Sequence, residues 1–218
     1  MSQIFKFLKE LKQNNSREWF SEHKDFYERA KYEAEIIMEN VYHELEKLEE
    51  LESLKKFRIY RDVRFSHDKT PYKTHFSGHT GRKKPYKRGG FYIHLEDGNS
   101  FIGAGFWGPE KEDLFRIRKS IEASDDLEQV LNDKMLLNNF GEIDGDELKT
   151  APKGFDKNHP RINLLKKKQF ILVKHFKDQE VLASDFPEKV AHAYHILMPF
   201  FHYMTEVLTT NENGELIV

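Results

Sequence analysis

Hydrophobic positions along the first fifty residues recur at helical spacing. Ile4, Phe7, Leu8 and Leu11 step by threes and fours and predict a short first helix that ends in the polar Gln13-Asn14-Asn15-Ser16. Asn15 with Glu18 three residues on forms a capping-box pattern, so a second helix is expected to start there. Its apolar or small positions are Trp19, Phe26, Ala30, Ala34, Ile37, Val41, Leu45 and Leu48, and Glu and Lys fill the opposite side. This predicts one long helix, with Asn40 the place for any break.

From Phe57 to Phe65 the period changes to two. Phe57, Ile59, Val63 and Phe65 share one face and Arg58, Tyr60, Asp62 and Arg64 the other, which predicts a strand. Arg61 falls on the apolar face, where a charge needs a carboxylate, backbone carbonyls or a bound anion. Phe91 to Glu96 and Ser100 to Trp107 read as two further strands joined through the turn Asp97-Gly98-Asn99. Gly108-Pro109 introduces a helix carrying Leu114, Ile117 and Ile121, with Pro in its first turn, and a short helix is expected around Asp125 to Leu137. The acidic, turn-rich stretch 141 to 154 leads to a short helix bearing Ile162, Leu164 and Leu165. Gln169 to Phe176 is a strand, and Pro187 to about Thr209 is a helix burying Val190, Tyr194, Leu197, Phe201 and Met204 or Leu208, with a kink expected at Pro199.

These elements predict an α+β fold, a mixed, mainly antiparallel sheet packed against long N-terminal and C-terminal helices. The 218 residues are expected to form a single domain: helical over 1–54, sheet-bearing over 55–108, helix and loop over 109–168, and a strand plus the C-terminal helix over 169–218. Eighteen Phe and nine Tyr give ample material for a core despite 33% charged residues.

Charge sharpens the picture. Residues 55 to 90 hold twelve Lys or Arg and two acids, a local net of +10 within a chain of formal net charge −2; the flanking segments carry −5, −8 and +1. Such a tract points to an anionic partner or to pairing within the chain. A dedicated nucleic-acid binder would more often be basic throughout. The absence of cysteine excludes disulfides, thiolate metal sites and a Cys nucleophile. The charged N-terminal MSQIFKFLKELKQ and the lack of any run of about 20 apolar residues lead to the expectation of a cytoplasmic protein with no membrane partner.

Three groups of residues could carry chemistry. Arg58, Arg61, Arg64, Lys69 and Lys73, with Asp62 and Asp68 among them, span a strand end and the turn that follows. Arg supplies a planar fork for phosphate or carboxylate, Lys adds a mobile charge, and Asp orients the guanidinium groups or serves as a base. Surface ion pairing is the plain alternative. The second group is His67, His75, His79 and His94, whose spacing has no metal-ligand pattern, so no metal is assigned. The third is the loop from Ala151 to Arg161, with Lys153, His159 and Arg161 able to join an anion site if the loop folds over the first cluster. His67 or His159 could move protons. Tyrosines and phenylalanines interleaved with the basic residues are compatible with stacking on single-stranded nucleic acid, but strand aromatics usually face a core. The glycines of Phe101 to Trp107 lack a dinucleotide fingerprint.

The blocks RIYRDVRFSHDKTPYKTHF (Arg58 to Phe76), GGFYIHLEDGNSFIGAGFWGP (Gly89 to Pro109), LFRIRKSI (Leu114 to Ile121) and LKTAPKGFDKNHPRINLLKKKQF (Leu148 to Phe170), with Asn14 to Phe20, resemble in order the signature of the family called domain of unknown function 2461. The resemblance implies a single soluble α+β domain of bacterial type. It brings no activity, cofactor or catalytic residue, so the site residues rest on charge and spacing alone.

Three functions are compatible with these residues, in this order: binding or turnover of a small phosphorylated or carboxylated ligand at the Arg/Lys cluster, a protein-interaction or structural role, and nucleic-acid contact through Arg82, Lys83, Lys84, Lys87 and Arg88. Whether the chain is an enzyme, what cofactor it takes and its oligomeric state are left open by the sequence.

Overall fold

The computed structural model describes residues 2–211 and 213–217. Helix α1 (Ile4–Gln13) buries Ile4, Phe7, Leu8 and Leu11, as their spacing requires. Ser16, rather than Asn15, caps the next helix by accepting the Trp19 N–H at 3.2 Å. The helix expected from there on is interrupted at His23 and not near Asn40, giving α2 (Arg17–Glu22) and α3 (Lys24–Glu46). His23 leaves helical geometry (φ −110, ψ 25). Its ring stacks on Trp19 at 4.2 Å, and Nδ1 donates to the Trp19 carbonyl at 2.8 Å. That side-chain bond to the preceding turn stabilises the break locally.

The sheet is an antiparallel meander in chain order: β1 (Lys55–Lys56), β2 (Phe76–Gly81), β3 (Gly90–Leu95), β4 (Ser100–Phe106) and β5 (Phe170–Phe176). The turn after β3, the two strands it joins and β5 lie where alternation placed them. The strand expected over 57–65 does not form. Only Ile59 of its apolar set is buried, and Phe65 is 95% exposed. The segment instead runs out along the sheet edge and pairs sparsely with its own return, through Arg61 N–H to Pro71 O at 2.9 Å and Lys73 N–H to Ile59 O at 2.8 Å.

The strand that replaces it, β2, is glycine-rich and had no alternation to reveal it. Its Gly78 lets α3 approach closely, since a Cβ there would lie 3.1 Å from Met38 Sδ of α3 and 3.2 Å from Leu54 Cδ1.

After the sheet hairpin come α4 (Lys111–Ala123), α5 (Asp126–Leu131), α6 (Lys134–Phe140) and α7 (Ile162–Lys166). Pro109 sits just before the α4 cap residue Glu110, not inside its first turn. The single helix expected over 125–137 is two, because Asp133 ends one and caps the other through the Leu136 N–H at 3.0 Å. A one-turn helix α8 (Asp178–Val181) precedes α9 (Phe186–Thr209), which continues through Pro199.

One sheet face supplies Phe76, Phe91, Ile93, Leu95, Ile102, Ala104, Phe106, Phe170, Leu172 and Phe176 to the core, together with the apolar stripes of α1, α3, α4 and α9. The alternate residues of the same strands lie on the other face and outside that core. Among the described residues no helix is long and apolar enough to cross a membrane.

Candidate functional site

The excursion from β1 to β2 folds back so that Pro71 to His75 run beside the end of α1. Asn15 fastens this return as a backbone mimic: its Nδ2 donates to Tyr72 O at 3.0 Å and its Oδ1 accepts the Tyr72 N–H at 3.1 Å. Phe20 stacks on the Tyr72 ring at 4.0 Å. The result is an open groove of about 570 Å³. Arg61, Asp62, Asp68 and Lys73 line it, with Lys12, Asn15, Thr70, Thr74 and His75.

Four residues of the first sequence cluster therefore meet in one place. With no strand over 57–65, Arg61 does not lie on an apolar sheet face; in the exposed turn Asp68 accepts from its Nη1, which also reaches Thr70 Oγ1 at 2.5 Å. The Arg61 bond, with the Thr70 N–H and hydroxyl behind it, holds the Asp68 carboxyl down at about 2. Arg64 takes Asp62 through Nε at 2.9 Å and Nη2 at 2.6 Å and lowers its pKa as well. Both carboxylates are held below their ordinary value, which weakens them as proton acceptors and favours orienting the arginines. Arg58, Arg64, His67 and Lys69 do not line the groove, and the Lys69 ammonium donates to Val63 O at 2.9 Å.

The loop from 151 to 161 does not fold over this cluster. Its Phe155 packs near Lys119 of α4, 5.3 Å from ammonium to ring centroid. Arg161 Nε donates to Ile121 O at 2.8 Å, satisfying the C-terminal end of α4, and Arg118 of α4 does the same for α7 through Leu165 O at 2.8 Å. His159 Nδ1 accepts the Arg161 N–H at 3.1 Å, and Lys153 is exposed.

Lys73 and His75 give the groove its chemistry. Lys73 is half-buried, with no carboxylate or hydrogen-bond acceptor among the described residues, and its ammonium stands 5.4 Å from the Phe57 ring. Burial first, then the charge of Arg58, pushes its pKa down. His75, in contact with His94 at 4.0 Å between centroids, is driven down to about 4 by burial and then by His94 and Lys73. It is neutral at pH 7, and no described residue hydrogen-bonds to its ring. Beside it, Tyr92 Oη meets His94 Nδ1 at 3.0 Å, His94 Nε2 meets Glu96 Oε2 at 3.2 Å, and Thr74 Oγ1 donates to Glu96 Oε1 at 3.0 Å. Burial would raise Glu96, but the bonds from Asn99, His94 and Thr74 hold it below its ordinary value. Among the described residues no three His, Asp or Glu side chains form a metal-binding group.

The basic stretch 82 to 88 is anchored at Arg82, Lys87 and Arg88, while Lys83 and Lys84 are exposed. Arg82 is 2% exposed. Its Nε and Nη2 donate to Glu49 Oε2 at 3.1 and 2.7 Å, its Nη1 to Thr205 Oγ1 at 2.8 Å and Arg88 O at 3.0 Å, and its guanidinium lies 4.7 Å from the Phe201 ring centroid. Lys87 and the Tyr194 hydroxyl also reach Glu49. Burial would raise the Glu49 carboxyl, yet bonds from Lys87 and Arg82 outweigh it. Arg88 pairs with Asp113. Arg82 is thus unavailable to the nucleic-acid contact considered for this stretch, and Lys87 and Arg88 are committed to acids. The sequence offered no signal for this, because Glu49, Thr205 and Arg82 are remote along the chain.

Residues 3–203 match a protein-family model described as conserved hypothetical protein, DUF2461. No curated protein and no solved structure matches the chain.

Proposed function

The chain belongs to the DUF2461 family of conserved hypothetical proteins, and we propose that it binds the phosphate or carboxylate group of a ligand in the groove of Arg61, Lys73 and His75. The observation that carries this reading is Lys73. A half-buried ammonium with no carboxylate partner costs free energy that a bound anion would return. Arg61, oriented by Asp68, presents a planar fork to the same space, and Lys12 adds a mobile charge at the rim. Neutral His75 can accept a hydrogen bond from a protonated ligand oxygen or donate one to an anionic oxygen, according to its tautomer.

Thermal unfolding with inorganic phosphate and citrate tests this. Each anion should raise the Tm of the wild-type chain, since ligand at 100 times its Kd contributes about 2.7 kcal/mol to the folded state. Lys73→Met should abolish the rise, and Lys83→Met, on the exposed surface outside the groove, should leave it intact. An equal rise in the Lys73→Met protein would refute the groove as the site.

A further inference from the structure

The face of the sheet opposite the core carries an unusual set of side chains. At its alternating positions stand Ser77 and His79 of β2, Tyr92 and His94 of β3, Phe101 and Gly103 of β4, and Val173 and His175 of β5. The aromatic rings form a pavement of contacting side chains, mostly tilted or edge-on to one another. His94 stacks on Phe101 at 4.5 Å with a 14° interplanar angle, Phe101 lies 5.5 Å from His175, and Tyr92 lies 5.8 Å from Phe101 and 6.2 Å from Trp107. Glycine at 103 makes room for the last of these, because a Cβ there would be 3.0 Å from Trp107 Cζ2. Tyr92, Phe101 and Trp107 are all half-exposed.

The pavement begins at the anion groove. His75 lines the groove and packs on His94. Phe57, beneath the Lys73 ammonium, lies 6.4 Å from Tyr92 and is also approached by Lys55 at 5.7 Å. Neither Lys55 nor Lys73 pairs with a carboxylate among the described residues, whereas Lys56, Arg61 and Arg64 do. The surface is thus aromatic in its middle and has cations without acidic partners on the groove side.

We propose that this face binds single-stranded nucleic acid, with bases stacked on Tyr92, Phe101 and Trp107 and a backbone phosphate held by Arg61 and Lys73. The inference rests on the anion-site reading above and names the ligand that carries the anion. Two physical arguments select this occupant. Alternating strand positions set rings about 5 Å apart across strands and about 7 Å apart along them, so the face offers several stacking places and suits a ligand with repeated planar groups. Bases inside a duplex have no free face to stack, so only unpaired bases can use it.

The test is fluorescence anisotropy of a labelled eight-nucleotide oligo-dU and oligo-dT with the full chain at low salt, next to the same-length duplex and the mononucleotide. The single strand is expected to bind at least tenfold more tightly than either. Phe101→Leu and Trp107→Leu, which keep an apolar surface on the open face, should each weaken it about tenfold with Tm nearly unchanged. Lys73→Met should reduce the slope of log K against log salt by about 0.7. In a Trp19→Phe background, the remaining Trp107 fluorescence should be quenched by the oligonucleotide.

Equal affinity for duplex or mononucleotide overturns the proposal, as does wild-type affinity in both leucine variants. If inorganic phosphate raises Tm and no oligonucleotide binds, this inference fails and the anion site stands. If neither binds, both fail.

Discussion

Two arginines show how differently one side chain can be used in this chain. Arg61 sits at the groove with a carboxylate on one side and open space on the other, so its charge is oriented without being used up. Arg82 is sealed beneath α9 with its donors spent on Glu49, Thr205 and a backbone carbonyl. At the same scale His75 makes stability depend on pH. Its folded pKa of about 4 lies below the ordinary 6.5, so between those values the unfolded chain takes up a proton that the folded chain refuses. Stability contributed by the neutral ring is therefore complete above pH 6.5 and falls as pH drops toward 4. His75→Phe, which preserves a ring against His94, should make the acid limb of a stability–pH curve shallower by up to about one proton. Urea unfolding at pH 7 and pH 5 measures it, and an unchanged difference between the two would contradict the assignment.

Between elements, one tie across distant stretches of chain is polar. Glu49 just beyond α3 receives Arg82 from the end of β2 and the Tyr194 hydroxyl from α9, so three distant stretches of chain converge on one carboxylate. Removing one partner strands the other in an apolar setting. Glu49→Ala is expected to cost about 3–5 kcal/mol in urea unfolding, and combining Glu49→Leu with Arg82→Met should recover most of that loss. A cost below about 1 kcal/mol for the single variant would mean the pair is hydrated and replaceable. The same scale explains two misread elements. Alternation over 57–65 suggested a strand, but a strand also needs a partner, and this segment has only its own return beyond Tyr60. The break at His23 depends on a ring bonding back to Trp19, a local competition that helical periodicity does not register.

Across the whole molecule, the +10 tract divides into two populations. Among the described residues, Lys56, Arg61, Arg64, Arg82, Lys87 and Arg88 pair with acids, and Lys55, Arg58, Lys69, Lys73, Lys83 and Lys84 do not. The acids come mainly from α3, its C-terminal extension and the tract itself; of the acidic 91–150 region only Asp113 takes part. On duplex DNA at about 0.15 M salt, where exposed charges are screened beyond about 8 Å, the protein should elute unretained. Firm retention would show that the unpaired cations act together.

The α+β class, the strands β3, β4 and β5, and the buried stripes of α1, α3 and α9 were legible because side-chain period is a local property of the chain. The pairing of Arg61 with Asp68, the lack of a carboxylate beside Lys73 among the described residues, the sealing of Arg82 and the aromatic open face were not. Each depends on which residues remote in sequence are brought within a few ångströms, and burial and pairing acquire values only after the chain has closed on itself.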